Sequence, residues 1–484
     1  MNRILCLSLL LFVIELCDSK VKYQKSPSEC GFVYLTVSSL VTSKWVKDPS
    51  EDDKLELNWD LTQCAGVSDS EIPNKVALFN VNPETAKAQP LETVNVADRP
   101  WNYHVTQISL GPLELPEEWT RKIRQKNKAK LITSGPQCLP FWIASYKDEK
   151  LLSTNCLKYH PTWMSDIRSY IADIPLSRLL IPGTHNAGAY AYGSSALRNV
   201  FQRYVLCQDR DLWTQLVSGI RYMDFRIAYY DTLQSIFLPK GDGSDTLWLN
   251  HNMIKVTPLL PLFKDIRRFL DSTTDEIVIL DVHQLPVGFY QSNEILLWRH
   301  HILLDVLKQE FADHILSFEE VMLKSRAIVG PTVGEILKTG RRLIIGYPDS
   351  SVTNQNRWLW PNVRHMWGNT NDAYMLKDYL DSVMENPYRP TQTGSTPLWS
   401  AMAQTTPSTL DVILNTEGSL RKNADAINRN LTSWLQYEWW NKANIVSSDF
   451  YMGNNLVEVM VHLNSFKGRL MKSAVGKFFF PNDV

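Results

Sequence analysis

Neither sign of charge is in excess in this chain. Its 50 Lys and Arg stand against 51 Asp and Glu over 484 residues, a formal net charge of −1. That balance excludes the strongly basic field on which nucleic-acid binding depends. Long hydrophobic runs are also scarce: beyond the first residues, none reaches the ~18 apolar residues that a membrane helix needs. The last residues, Phe478 to Val484, lack the extended apolar tail of a lipid-anchor signal. The chain has no internal repeat and no low-complexity tract. Cysteine is sparse, seven in all, and never at the spacing of a metal site.

What is present begins at the N-terminus. Residues 1–19 carry Arg3, an apolar stretch from Ile4 to Val13 and a small residue near the end. This is the form of a secretory signal, with cleavage expected near Ser19 and a soluble, secreted mature chain. Cys6 and Cys17 leave with it, so Cys30, Cys64, Cys138, Cys156 and Cys207 remain. In an oxidising compartment the first four are expected to form two disulfides. Of the three possible connectivities, Cys30–Cys64 with Cys138–Cys156 is the expected one, with Cys207 left buried and free. The sequon Asn430-Leu431-Thr432 fits the same route.

Residues 20–159 read as a small all-β sandwich. Short strand-like runs at Phe32–Val37, Lys54–Trp59, Val76–Val81, Asn102–Thr106 and Leu139–Tyr146 are separated by turn-rich joints. Residues 121–130 form a basic cluster, whose plainest reading is a solvated face. From residue 160 to 484 the pattern changes. Helical spacing over 259–270 precedes a strand at 276–282, a helix at 293–311, a strand at 341–347 and a helix at 373–384. That alternation predicts an α/β fold of the (β/α) TIM-barrel type, whose functional groups gather at the C-terminal ends of the strands. Trp358, Trp360 and Trp367 fit core packing better than insertion at a lipid interface.

Polar residues follow several of these strand-like runs. Leu179-Leu180-Ile181-Pro182-Gly183-Thr184 ends in His185-Asn186, and Trp248-Leu249-Asn250 ends in His251. Asp224 and Arg226 sit two apart in Tyr222-Met223-Asp224-Phe225-Arg226-Ile227, so both point to one face of a strand. Asn444-Ile445-Val446-Ser447-Ser448 ends in Asp449. Two imidazoles, a guanidinium and two carboxylates are the parts for acid/base chemistry on an anion. A structural Asp224–Arg226 ion pair is the bland alternative.

These stretches, with Thr162-Trp163-Met164-Ser165, Glu276 to Asp281 and Met366-Trp367-Gly368-Asn369, resemble the phosphatidylinositol-specific phospholipase C X-domain family, in the family's order. The likeness runs from about Trp163 to Asn464 and is closest to the eukaryotic PI-PLC X domain-containing proteins. The resemblance implies the barrel fold and a phosphodiesterase acting on inositol phospholipids or glycosyl-inositol lipid anchors. His185 would be the base that takes the inositol 2-hydroxyl proton, and His251 the acid for the leaving oxygen. Asp449 would orient His185 and Asp224 would orient His251. Arg226 stands where the calcium-dependent branch has an acid, which implies catalysis without metal or other cofactor. Asn186, a substrate-binding position, is Asp in most metal-independent relatives, so a catalytically weak headgroup-binding protein is the alternative. His283 competes with His251 for its place, with a structural role as its plainer reading, and Asp281 is a further candidate for the site's lining. The implied partner is an inositol lipid at a membrane surface with peripheral contact, and no nucleic acid; the sequence leaves oligomeric state open.

Overall fold

The fold was analysed in a computed structural model that describes residues 30–40, 53–96, 102–111, 115–116, 119, 131–190, 202–231, 246–292, 294–324, 330–385, 398–408 and 419–472. The expected signal at 1–19 and the basic cluster at 121–130 lie outside the described residues. No helix among them is long and apolar enough to cross a membrane.

Alternation of apolar and polar residues produces seven N-terminal strands: β1 (Phe32–Val37), β2 (Lys54–Asp60), β3 (Lys75–Phe79), β4 (Glu92–Asn95), β5 (Tyr103–Ser109), β6 (Gln137–Lys147) and β7 (Lys150–Tyr159). They pair antiparallel into a sheet β1-β2-β5 and a sheet β4-β3-β6-β7. The inward residues Val33, Leu35, Leu55, Leu57, Val76, Leu78 and Ile143 share one core between them, as sandwich packing requires. Disulfides join Cys30 to Cys64 and Cys138 to Cys156, and Cys207 is a buried free thiol, as the sequence led us to expect.

The second region is built on β8 (Ile181–Thr184), β9 (Tyr222–Tyr229), β10 (Leu247–His251), β11 (Ile254–Pro258) and β12 (Val278–Val287). A short hairpin, β13 (Tyr290–Gln291) and β14 (Glu294–Ile295), precedes β15 (Leu343–Tyr347), β16 (Trp360–Pro361), β17 (Arg364–Met366), β18 (Trp399–Ala403) and β19 (Ile445–Ser448). The main path runs β16-β15-β12-β9-β8-β19-β18-β17, all parallel, with β10 and β11 attached antiparallel beside β9. Its two ends are consecutive pieces of one stretch of chain. Trp360–Pro361 pairs with β15, and Arg364–Met366 pairs with β18. The sheet therefore curls back on itself through residues 360–366, an irregular barrel.

Helices cover it where the apolar spacing is 3.6. Leu259–Asp271 buries Leu259, Leu262, Phe263, Ile266, Phe269 and Leu270 on one face, each contributing about 1.5–3 kcal/mol. Helix Leu212–Ser218 starts on the Asp211 side chain, which accepts from Thr214 N–H, and stops at Gly219, whose φ of 115° admits no β-carbon easily. At the barrel's N-terminal side, Arg221 and Glu276 are both wholly buried and bonded at 2.6 and 2.9 Å. Arg221 also donates to the carbonyls of Leu216, Ile220 and Pro161, so this buried charge is fully engaged.

The sandwich sits against the barrel through charges that would be costly to bury unpaired. Arg210 bonds Asp53, Arg429 bonds Glu56, and Tyr437 donates to Asp60. Lys158 bonds Glu458 at 2.7 Å. Asn430 of the sequon is exposed in the helix Leu420–Trp434, while Thr432 is buried and accepts from Asn455 N–H.

Candidate active site

Strand register assembles the first part of the site. β19 pairs with β8 so that Ser448 lies opposite Thr184. The next residue on each strand, Asp449 and His185, therefore emerges beside the other at the barrel's C-terminal rim. Gly183 is required beneath them, since a β-carbon there would lie 2.6 Å from Ser447 Oγ and 2.7 Å from the Tyr222 ring. His185 Nδ1 faces Asp449 Oδ1 at 2.7 Å, and both residues are buried. That bond places the proton on Nδ1 and leaves the Nε2 lone pair toward the cleft.

β9 contributes the next two groups. Asp224 is wholly buried and Arg226 reaches the cleft. Arg226 Nη2 lies 3.4 Å from Asp224 Oδ2 and 2.6 Å from His185 Nε2. Burial works to raise the Asp224 carboxyl, but the Arg226 guanidinium and the imidazoles of His365, His283 and His185 hold it well below the usual carboxylate range. Asp224 Oδ2 also accepts from Asn186 N–H at 3.1 Å. Asn186 itself is wholly buried, with φ 41°, and its amide donates to the Asn250 carbonyl. It lies beneath the cleft and contributes through Asp224.

The expected pairing of Asp224 with His251 is not what the structure contains. The two rings of His185 and His251 face each other edge-on at 6.3 Å, but no ion pair joins His251 to Asp224 among the described residues. Asp224 is already engaged by Arg226 and Asn186, and His251 Nδ1 turns instead to the Val205 carbonyl at 2.8 Å. Burial, then the positive charge of Arg226, then His185 push the His251 pKa down to about 3.

Apart from Cys207, expected to be buried and free, the segment from Val205 to Gln208 carried no sequence signal, yet it holds both histidines. Gln208 Nε2 donates to His185 O at 2.9 Å and to Ser448 O at 3.0 Å. Cys207 O accepts from Phe450 N–H, and its buried thiol lies 4.0 Å from His251 Nδ1. Neither a lone glutamine nor a carbonyl carries any sequence signal.

A second polar group lines the opposite wall. His365 Nε2 meets Tyr222 Oη at 2.7 Å, and Tyr222 donates to Asp281 Oδ2 at 2.9 Å. His283 stacks on His365 with ring centroids 3.4 Å apart and planes 5° from parallel. Burial, reinforced by His365 and Arg226, brings His283 to about 4 against the pull of Asp224 and Asp281. His365 is the middle residue of β17, a stretch whose only sequence cue was the neighbouring Met366-Trp367. Trp367 is 47% exposed and lines the cleft, whereas Trp360 is buried and donates to Leu316 O, so core packing holds for Trp360 and fails for Trp367.

Two clusters bring three metal-capable side chains within 4.8 Å: His185, Cys207 and Asp449, and Asp281, His283 and His365. Their nitrogen and sulfur donors do not suit calcium. In the second cluster the stacked imidazoles direct their in-plane lone pairs in parallel, not toward one point. The cleft that joins these walls encloses about 590 Å³, within the range of small-ligand sites.

No family model matches the chain. Among curated proteins, the human PI-PLC X domain-containing protein 1 is 25% identical over 335 residues, covering 64% of this chain and 94% of that protein. The mouse PI-PLC X domain-containing protein 2 is 21% identical over 327 residues, covering 62% and 87%. A Trypanosoma cruzi variant-surface-glycoprotein phospholipase C is 26% identical over 153 residues, 26% of this chain and 37% of that protein. Among solved structures, phosphatidylinositol-specific phospholipase C from Listeria monocytogenes aligns with 63% of this chain and 98% of its own, at 14% identity and a TM-score of 0.42. On its strand-end motifs and these curated relatives, the chain resembles the phosphatidylinositol-specific phospholipase C X-domain family.

Proposed function

We propose that this protein is a secreted phosphoric diester hydrolase of the phospholipase C type. Its substrate would be an inositol phospholipid or a glycosyl-inositol lipid anchor, cleaved without calcium. The observation that carries this reading is the chain of contacts Asp449–His185–Arg226, with His251 facing it across the cleft.

His185 Nε2 takes the proton of the inositol 2-hydroxyl as that oxygen attacks phosphorus. Asp449 stabilises the imidazolium that results and keeps its tautomer. Arg226 supplies positive charge to the phosphorane oxygens. The bond from phosphorus to the glycerol oxygen breaks, and the departing alkoxide takes a proton from His251 Nε2. Because Nδ1–H is committed to the Val205 carbonyl, this requires the imidazolium, which the anionic phosphodiester favours by offsetting the Arg226 charge that otherwise keeps the ring neutral. The products are a cyclic inositol phosphate and diacylglycerol.

Metal-free catalysis is supported by Arg226. Asp224 Oδ1, Asn186 Oδ1 and Asn250 Oδ1 accept no hydrogen bond among the described residues. The Arg226 guanidinium, 3.4 Å from Asp224, already supplies positive charge there and would repel a calcium ion at short range. One observation favours the alternative of a headgroup-binding protein with weak catalysis: His251 has a carbonyl, not a carboxylate, behind it.

The test is release of water-soluble inositol phosphate from phosphatidylinositol vesicles by the purified protein in EDTA, beside His185→Ala. Release that resists EDTA and disappears in the variant supports the proposal. Vesicle binding without release, with or without calcium, selects the headgroup-binding reading.

A further inference from the structure

A second, larger hollow of about 820 Å³ lies where the sandwich meets the barrel helices. Its walls come from β2, β5 and the helices Ala373–Glu385 and Leu420–Trp434, continued by residues 435–439. Tyr374 stands on its rim with 84% of its surface exposed, a bare aromatic face in water. Asn58, Asn102, Ser433 and Gln436 add amides and a hydroxyl.

The cations named in this hollow, Lys377 and Arg429, are already engaged by carboxylates. Lys377 lies 2.5 Å from Asp381 and 2.6 Å from Glu438. Arg429 is held by Glu56 and Asp425 and covers the Tyr103 ring at 3.9 Å. Asp60 accepts from Tyr437 and Thr62. A groove whose two named cations are each held by two carboxylates offers no attraction to an anion, and its carboxylates remain acceptors for hydroxyl groups. It offers an aromatic plane with hydrogen-bond donors and acceptors of both kinds, which is the complement of an uncharged, polyhydroxylated ligand.

The groove also shares elements with the cleft. Leu420, at the start of one helix, lines the cleft, and Asn430 of the same helix lines the groove. Ten residues of helix separate them by about 15 Å. Trp367 of the cleft and Tyr374 of the groove lie seven positions apart in the chain. A short linear oligosaccharide spans that distance.

We propose that this groove binds the neutral glycan of a glycosyl-inositol lipid whose inositol phosphate occupies the cleft. The substrate half of the inference rests on the phosphodiesterase reading; the binding half does not. The test titrates the full-length His185→Ala protein with a delipidated glycosyl-inositol phosphate headgroup, and separately with inositol phosphate alone, by calorimetry. The glycan headgroup is expected to bind at least tenfold more tightly, and Tyr374→Ala in that background to remove most of the difference. In the otherwise native protein, Tyr374→Ala is expected to slow release of a glycosyl-inositol-anchored protein about tenfold and leave phosphatidylinositol cleavage unchanged. Equal binding of the two headgroups, or a preference that survives Tyr374→Ala, overturns the proposal even where phosphatidylinositol is cleaved. Tyr374-dependent glycan binding by a protein that cleaves neither lipid sustains the groove and removes the phosphodiesterase reading.

Discussion

The guanidinium of Arg226 caps the lone pair of His185, with Nη2 and Nε2 2.6 Å apart. His185 Nδ1 is committed to Asp449, so Nε2 is the only atom through which this imidazole can accept a substrate proton. Arg226 occupies it. In the proposed mechanism a phosphate in the cleft would compete for the same guanidinium with a charge-assisted bond. The base would be freed as Arg226 turned to it, so that one side chain would couple anion binding to activation of the base.

Arg226→Gln removes the fixed cation while keeping a polar side chain. We expect kcat for cyclic inositol phosphate formation to fall about 10²–10³-fold, the usual loss for one transition-state donor. Calcium is not expected to restore it. An unchanged kcat in initial-rate assays would remove Arg226 from the mechanism.

His251 is expected to matter in proportion to the leaving group's need for a proton. His251→Ala should lower kcat on phosphatidylinositol by about 10²–10⁴-fold. On an inositol phosphodiester with a nitrophenolate leaving group the loss should nearly vanish. Equal losses on the two substrates would show that His251 does something other than protonate the leaving oxygen.

Gln208 holds the backbone on both sides of the base, at His185 O and Ser448 O. Gln208→Leu removes the Gln208 donor from the buried His185 carbonyl and leaves Ser448 O with the His185 N–H, a loss of about 1–3 kcal/mol. Urea denaturation should show that loss of stability. Activity measured well below the transition should fall as well, because His185 and Asp449 lose their shared support, whereas a purely structural glutamine would leave kcat intact.

His160 makes an acid-sensitive contribution to stability away from the cleft. Burial, with help from Lys158 and Arg221 and against Glu458, lowers its pKa from 6.5 to about 4. The unfolded chain binds this proton more readily, so the native state is favoured fully above about pH 6.5 and progressively less as pH falls toward 4. The carboxyls of Asp53 and Asp425, raised to about 6 and about 7 chiefly by burial, act in the opposite sense, and a difference measurement removes them. Wild type minus His160→Gln should therefore lose up to about 3 kcal/mol between pH 6.5 and pH 4, read as unfolding free energies. A flat difference would mean that His160 is not buried as a neutral imidazole.

Much of the barrel is visible in the sequence because its helices carry their apolar residues at 3.6 spacing and its strands are short apolar runs. Helix 259–270 and the strand at 341–347 fall within a residue or two of Leu259–Asp271 and Leu343–Tyr347. The strand expected at 276–282 instead spans Val278–Val287. Its polar second half, with His283 and Gln284, belongs to the cleft wall and carries no apolar alternation. The closure through residues 360–366 was equally hidden, since two and three residues of pairing leave no periodicity to detect.

The sequence by itself determined where chemistry-bearing side chains leave the sheet: His185 after Ile181–Thr184, Asp449 after Ile445–Ser448, Asp224 and Arg226 on one face of Tyr222–Tyr229. Those placements follow from local rules, the period of a strand and the polarity of its end. Only the tertiary structure decided which of these groups meet. Register across β8 and β19 joined His185 to Asp449. The approach of Val205, more than 40 residues from His251 in the chain, gave that imidazole a carbonyl in place of the expected carboxylate. Partner choice depends on the packing of segments distant in sequence, and a backbone carbonyl is the same in every residue, so no pattern of side chains announces it.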